Sequence, residues 1–375
     1  MQFKKVIGQE KVKQQLAASV KQGRIPHAQM FFGPEGCGSL PLAVAYAQFI
    51  SCTNPSEDDS CGTCASCHKY EKLAHPDLHF AFPVNTSKEV GKDPVSDDYI
   101  SQWRGQLLAN PYFRSNQWYN LIGIENKQGL ISKNESELII RKLSLKSFES
   151  DYKILILWLP ENMNATSANM LLKLIEEPPE KTVFLLVSED PNEVLLTISS
   201  RTQPVKLNQI DKPPMVKALT ENYGQNTEQA NHIARLANGN FISALELIEQ
   251  SEENKFNFAK FTAIMRLCYQ RNIPEINSWV EEMAGSGREN LKSFFVYSLR
   301  LIRENFIMNL KNNDLVYLSP AEEEFSKKFH PFINGRNIVS IYSEFNSASA
   351  DIERNANAKI VLFDMALKIV KFIRG

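Results

Sequence analysis

The sequence contains no apolar run long enough to cross a membrane and carries almost no net charge. Its 375 residues include 42 Lys and Arg against 43 Asp and Glu, so the formal net charge is −1. No segment approaches the roughly 20 apolar residues of a membrane span, and the opening MQFKKVIGQEK lacks the apolar core of a signal peptide. The charge balance argues against a chain whose whole surface attracts nucleic acid. With 43% hydrophobic residues, these features predict a cytoplasmic protein of two or three domains.

A glycine-rich segment, FFGPEGCGSL at residues 31–40, lies between a predicted strand and a predicted helix. Its glycines, Gly33, Gly36 and Gly38, match a phosphate-binding loop of the form GxxxxGK[ST]. In that loop the Lys binds phosphate and the Ser or Thr binds Mg²⁺, but the corresponding residues here are Ser39 and Leu40. The segment is therefore either a phosphate loop without its chemistry or an ordinary glycine-rich turn.

Four of the six cysteines are concentrated in one short segment with the spacing C-x8-C-x2-C-x2-C. In a cytosolic chain such clustering indicates metal binding rather than disulfides. Four thiolates complete a tetrahedral site and leave no position for water, so we expect a structural zinc. Redox thiols and iron–sulfur ligation remain the alternatives. His68 is expected to be a bystander, and Cys37 and Cys268 to be ordinary buried residues. The four predicted ligands are Cys52, Cys61, Cys64 and Cys67.

Apolar runs alternate with segments of helical periodicity through the first half of the chain. YKILILWL at 152–159 and TVFLLV at 182–187 are continuous apolar runs, typical of strands buried on both faces of a parallel sheet. The alternation predicts an α/β fold. The aromatic residues at 112–119 indicate either a partner-binding surface or, as we favour, packing of a local insertion onto the core. After residue 253 only helical patterns are convincing.

Two later motifs resemble those of AAA+ clamp-loader subunits, and in particular of the delta-prime family of the bacterial DNA polymerase III clamp loader. They are NMLLKLIEEPP at 169–179 and Ser200-Arg201-Thr202. The resemblance also includes VIGQE at 6–10, RIPHA at 24–28, the cysteine cluster and HPD at 75–77, and runs from about residue 5 to 210. It implies a AAA+ P-loop parallel-sheet core at 1–208, with a zinc module at about 52–67 and an insertion at about 83–128. A small helical lid at 209–252 and an all-α collar for oligomerisation at 253–375 would follow.

Measured against ATP-hydrolysing members of that family, the chain lacks the charged residues of catalysis. Trp158 and Leu159 occupy the positions of the Asp-Glu pair, and Ile242 that of the lid arginine. Ser188 is a weak candidate for a polar sensor. Phosphoryl transfer depends on such positioned charges. The resemblance therefore implies no intrinsic ATPase activity and no ATP binding by this chain.

Arg201 is the charged group that remains. In the family, the Arg of this motif acts as an arginine finger toward the ATP of a neighbouring subunit, with Ser200 beside it. Without the family, a surface Arg that pairs locally is the simpler interpretation. The resemblance implies a non-catalytic part of the DNA polymerase III holoenzyme, with these partners: gamma/tau-type ATPase subunits, a delta-type subunit, the sliding clamp and primed DNA. An ATPase with an unorthodox P-loop and a zinc-containing adaptor remain alternatives.

Overall fold

The computed structural model describes residues 1–124, 127–309, 316 and 318–373. Residues 125–126 of the predicted insertion, and residues 310–315, 317 and 374–375 of the predicted collar, lie outside this description. The chain forms two compact units, Met1–Leu247 and Ile248–Gly375.

The first unit is built on a parallel sheet. Among the described residues its five strands lie in the order β2-β3-β4-β1-β5, and every neighbouring pair is parallel. The register places Phe31 beside Val187 and Leu157 beside Leu186. This arrangement confirms the predicted α/β class. The strands are β1 (Ala28–Phe32), β2 (Leu78–Ala81), β3 (Lys153–Trp158), β4 (Thr182–Ser188) and β5 (Gln203–Lys206).

The two continuous apolar runs form the centre of this sheet, as predicted. Every residue of β3 and β4 is buried. Since successive side chains of a strand point to opposite faces, Ile154 and Ile156 pack in one apolar cluster, while Leu155 and Leu157 pack in another. Both faces of the sheet are therefore covered, which is the usual environment of a parallel sheet.

Helices cover the sheet and continue to the boundary of the unit. Asn164 caps one of them by accepting a hydrogen bond of 2.7 Å from Ser167 N–H, and Pro178-Pro179 follow its end. The helices are α1 (Glu10–Lys21), α2 (Ser39–Ile50), α3 (Ala65–Glu71), α4 (Ile100–Ala109), α5 (Ser115–Leu121), α6 (Lys133–Ser144), α7 (Ala165–Glu176), α8 (Leu196–Ser199), α9 (Lys212–Tyr223), α10 (Thr227–Ala237) and α11 (Phe241–Gln270).

The aromatic residues of the insertion pack inward. Trp103 and Trp118 are fully buried, and Phe113 is 5% exposed. Between ring centroids, Phe113 lies 5.3 Å from Trp158 of β3, and Trp118 lies 5.1 Å from Phe82. This packing confirms the interpretation that the aromatic stretch attaches the insertion to the core.

The second unit is helical throughout its described part. Its core includes Phe261, Phe294 and Phe345, all fully buried. The predicted boundary between residues 252 and 253 falls inside α11, which the division into units also crosses. No helix in the described ranges combines the length and apolarity required to cross a membrane. The remaining helices are α12 (Ile273–Gly285), α13 (Arg288–Asn309), α14 (Pro320–Phe329), α15 (Ile338–Glu353) and α16 (Ala358–Phe372).

Candidate functional site

The glycine loop joins β1 to α2, and Gly38 is the residue that precedes the helix. Gly36 and Gly38 have φ values of +70° and +90°, a left-handed conformation that glycine adopts without steric cost. A Cβ at Gly36 would lie 2.0 Å from Asn240 Oδ1, and a Cβ at Gly38 would lie 3.2 Å from the Tyr112 ring. These two glycines therefore make room for side chains of the chain itself.

Tyr112 fills the space against Gly38. Its hydroxyl accepts a hydrogen bond of 3.0 Å from the buried Ile7 N–H, and its ring meets Phe241 edge-on at 4.9 Å between centroids. The Asn110 side chain exchanges hydrogen bonds of 2.9 and 2.8 Å with the Tyr112 backbone. Burial raises the pKa of the Tyr112 hydroxyl, so this group stays neutral. Both the ring and the hydroxyl of Tyr112 are thus fixed by neighbouring groups.

The cavity that remains beside the loop is small and carries no cation on its wall. Its volume is about 210 Å³, below the roughly 300–1,000 Å³ of ligand pockets. Trp158 and Ile242, which replace the expected Asp and lid Arg, both line it, and Ser188 is buried against it. Among the described residues that line the cavity, none is Lys or Arg. A triphosphate would therefore meet no Lys or Arg among these lining residues, and the nearby Arg114 is already paired with Glu35.

The one acidic side chain within the loop is held by an arginine. Arg114 donates to both carboxylate oxygens of Glu35, at 2.7 and 3.0 Å, and also contacts Glu246. Asn240 donates a further hydrogen bond of 2.8 Å to Glu35. The hydrogen bond from Arg114 lowers the pKa of Glu35, although burial opposes the shift. A carboxylate that stays ionised in this loop disfavours an anionic ligand.

Arg201 lies at the surface, between the short helix α8 and β5. Its side chain is 36% exposed, and its Nε donates to the carboxylate of Glu176. Its Nη1 donates to the Thr197 carbonyl at 2.9 Å and to Ser200 Oγ at 3.2 Å. The Ser200 hydroxyl therefore contacts the guanidinium of Arg201 directly. Thr202 is buried and bonds the Ser199 carbonyl at 3.0 Å, away from the guanidinium.

The four predicted cysteine ligands come together. Their Sγ atoms all lie within 4.8 Å of one another, and Cys61 Sγ is 3.6 Å from Cys52 Sγ and 3.9 Å from Cys67 Sγ. A zinc tetrahedron with Zn–S bonds of about 2.3 Å has sulfur–sulfur edges of about 3.8 Å. The spacing of the thiols therefore fits one tetrahedral ion. His68 is not part of the group, and its Nδ1 lies 3.7 Å from Glu71.

Backbone amides of the same turns favour the ionised thiols. Amide groups donate to Cys52 Sγ at 3.3 Å, to Cys61 Sγ at 3.3 and 3.4 Å, and to Cys64 Sγ at 3.4 Å. The Thr63 amide lowers the pKa of the Cys61 thiol. Burial opposes a similar shift at Cys64, yet hydrogen bonds from Thr53 and the Cys67 amide lower its pKa to about 6. Burial instead raises the pKa of the Cys52 and Cys67 thiols. Because metal ligation requires the thiolate form, these two thiols would ionise only as a cation binds.

The two other cysteines behave as predicted. Cys37 is 2% exposed and Cys268 is fully buried. Burial raises the pKa of the Cys37 thiol to about 11 and that of Cys268 to about 12. Neither thiol is ionised near neutral pH, so neither has the reactivity of a thiolate.

Sequence reasoning missed several residues that shape these sites. In the sequence Tyr112 is one of several neighbouring aromatic residues, and Arg114, Asn240 and Glu176 belong to no motif that points to their partners, which are distant in the chain. Asp77 of the HPD motif has a structural role that was also missed. Its buried carboxylate accepts hydrogen bonds from the backbone N–H groups of residues 148–150, at 2.6, 2.8 and 2.8 Å, and so fixes the segment before β3. The motif singled out Asp77 in the sequence but did not indicate its hydrogen-bond partners.

Comparison with known proteins places the chain in a family. The sequence model described as "DNA polymerase III, delta subunit" matches residues 8–211, more than half of the chain. The chain belongs to this family. The match covers most of the parallel-sheet core predicted at residues 1–208, whereas the first compact unit extends further, to Leu247.

Individual relatives cover the chain only in part. The DNA polymerase III subunit delta' of Bacillus subtilis is 25% identical over 265 residues, which are 70% of this chain and 66% of that protein. The subunit tau of the same organism is 23% identical over 254 residues, 66% of this chain and 37% of that protein. The chain thus spans just under two thirds of the first relative and about a third of the second. A gamma-subunit-related protein of Thermotoga maritima aligns over 96% of this chain and 99% of its own length. Its 13% identity and TM-score of 0.36 are too low to bear on fold or function.

Proposed function

We propose that the chain is a non-catalytic clamp-loader subunit that presents Arg201 to the ATP of a neighbouring gamma/tau-type ATPase. The assembly would also contain a delta-type subunit and would place the sliding clamp on primed DNA, in the cytoplasm. The observation that carries the proposal is the glycine-loop pocket, where Tyr112 stands against Gly38 and no lining residue is Lys or Arg among those described. A chain built this way acts on a partner's nucleotide rather than on its own.

Arg201 suits that role because part of its guanidinium faces solvent. The side chain is 36% exposed, and its contacts engage Nε and Nη1. An arginine finger neutralises charge that develops on the transferred phosphoryl group, and contributes about 10³–10⁵ in rate where it has been measured. The local pairing with Glu176 also fits the simpler interpretation of a surface arginine, so the test must measure turnover.

The deciding experiment is Arg201→Ala in the full assembly. The chain would be reconstituted with a gamma/tau-type ATPase, a delta-type subunit, the clamp and primed DNA. We expect the turnover of the adjacent ATP site to fall by about 10³-fold or more, with assembly intact by size-exclusion chromatography. Arg201→Lys should recover little, since Lys lacks the planar fork of donors.

The matched control is Arg235→Ala, which removes another exposed arginine of the same unit, from α10. This variant should leave turnover unchanged. If Arg201→Ala also left turnover unchanged in an intact assembly, the finger would be ruled out. If the chain joined no such assembly at all, the zinc-containing adaptor would become the leading alternative.

ATP binding by the isolated chain separates the proposal from an unorthodox ATPase. Equilibrium binding of labelled ATP with Mg²⁺ should show no complex well above the micromolar range. Tight, stoichiometric binding would show that the pocket opens in solution, and the ATPase alternative would then lead.

We further propose that the cysteine cluster holds a structural zinc and that residues 253–375 form the assembly collar. The sulfur spacing supports the zinc, and the helical core of the second unit supports the collar. For the collar, hydrogen exchange of the full chain should slow in α12–α16 when the assembly forms. Protection confined to the first unit would contradict this assignment.

A further inference from the structure

The guanidinium of Arg201 is fixed on two of its three nitrogens. Nε donates to Glu176, and Nη1 donates to the Thr197 carbonyl and to Ser200 Oγ. Among the contacts of the described residues, Nη2 has no hydrogen-bond acceptor. Because the guanidinium is planar, holding Nε and Nη1 also sets the direction of Nη2.

Of the three residues that accept hydrogen bonds from Arg201, Glu176 is the one that is distant in the sequence. It is the last residue of α7, twenty-five positions before Arg201. A carboxylate at the C-terminal end of a helix lies near the negative end of the helix dipole, where a cation is favoured and an anion is not. Arg201 neutralises this charge, so the two side chains have a reason to remain together.

The pair contributes little to folding, which points to another purpose. The side chains of Arg201 and Glu176 are 36% and 44% exposed, and exposed ion pairs are weak and screened by salt. The ion pair has more effect on the conformation of Arg201 than on stability, because an unpaired arginine side chain samples many rotamers. The contact therefore acts chiefly on where the guanidinium points.

We propose that Glu176 is a positioning residue for Arg201, which holds the guanidinium with Nη2 directed outward to an anionic oxygen of a partner. The anion is a polyphosphate bound to the adjacent subunit, and to that extent the inference rests on the proposed function. Groups that act in a transition state are most effective when their own orientation is set beforehand.

Glu176→Gln tests this role, with Glu177→Gln as the matched control. Both remove one negative charge at the end of α7, but only Glu176 contacts Arg201. In the reconstituted assembly, Glu176→Gln should lower kcat about tenfold. The KM for ATP should stay unchanged, as expected for a transition-state effect. Glu177→Gln should leave both constants unchanged.

Two results would overturn the proposal at this stage. If Glu176→Gln raised kcat, Glu176 would be a competitor that Arg201 must leave before it acts. If Glu176→Gln had the same effect in the Arg201→Ala background as alone, its role would be structural, since a positioning residue has no effect once its target is removed.

A second readout does not depend on the assembly. In the isolated chain, NMR can follow the solvent exchange of the Arg201 Nε–H, which we expect to speed up several-fold in Glu176→Gln and not in Glu177→Gln. Unchanged exchange would mean that Glu176 does not hold Arg201. Suppose that the exchange changed as expected but Arg201→Ala left turnover unchanged. The contact between Glu176 and Arg201 would then be real, but the proposed function, and with it the positioning role, would be wrong.

Discussion

The glycine loop before α2 and the cysteine cluster after it differ in the groups that surround them. Gly38 precedes the helix, and the loop before it is filled by Tyr112 and Asn240 of the same chain. Cys52 follows the helix, and there four thiols surround a space of the size of one metal ion. At the cysteine end, four thiols lie close enough together to bind one metal ion. At the glycine end, side chains of the chain itself occupy the space beside the loop. A loop shape is therefore not evidence of a bound phosphate unless the charges are present.

Of the changes predicted here, loss of the proposed zinc should have the largest effect. Structural zinc contributes about 10–16 kcal/mol of apparent binding free energy in zinc-finger peptides. The cysteine segment also holds the start of the chain, since Asp59 accepts the N–H of Phe3 at 2.9 Å and the Ser60 carbonyl accepts Gln2 Nε2 at 2.7 Å. We expect Cys64→Ser to lose stoichiometric zinc by elemental analysis and to speed hydrogen exchange of residues 1–5.

Cys37→Ser is the control for that loss, because Cys37 is buried and does not belong to the four-thiol group. It should retain one zinc per chain. Carefully purified wild-type protein without stoichiometric metal would exclude the zinc site. Iron found in place of zinc would favour the iron–sulfur alternative.

The same contrast explains which parts could be predicted from the sequence. The cysteine ligands lie within sixteen residues, so their spacing alone indicated a common centre. The strands β3 and β4 were found because a sheet covered on both faces requires continuous apolar runs. In each of these cases the signal is local.

The filling of the glycine loop could not be predicted, because it depends on contacts between distant parts of the chain. Tyr112 reaches Ile7 and Gly38, and Arg114 reaches Glu35. No spacing rule relates these residues, and each of them is an ordinary surface or core residue by type. The absent Lys was visible in the sequence, but the side chains that pack against the loop were not.

Truncation of Tyr112 should have the next largest effect. Tyr112→Ala removes a buried aromatic ring and enlarges the space against Gly38, which should lower the free energy of unfolding by about 3–5 kcal/mol. Urea unfolding followed by circular dichroism would measure the change. Tyr342→Ala, at a tyrosine that is 42% exposed, should cost less than about 0.5 kcal/mol. An equally small loss at Tyr112 would mean that the loop is not packed as described.

Tyr112→Phe should have a smaller effect that isolates the hydroxyl. The ring remains, but the buried N–H of Ile7 loses its acceptor at 3.0 Å. An unsatisfied buried donor costs about 1–3 kcal/mol, so stability should fall by that amount in the same assay. Hydrogen exchange at Ile7 should also speed up. A variant as stable as the wild type would show that water replaces the hydroxyl.

The smallest expected effect comes from introducing the two missing residues of a phosphate-binding loop. Ser39→Lys combined with Leu40→Thr recreates the GKT sequence, yet Tyr112 still stands 3.2 Å from a Cβ at Gly38 and Glu35 keeps its charge. We therefore expect labelled ATP to bind this variant no better than it binds the wild-type chain, provided that thermal unfolding shows the variant to be folded. Addition of Tyr112→Ala should produce measurable binding, because the new Lys then has space for a phosphate beside it. If ATP bound the double variant while Tyr112 was still present, the packing of Tyr112 against the loop would not be what prevents binding. The loop would then lack only its charged residues.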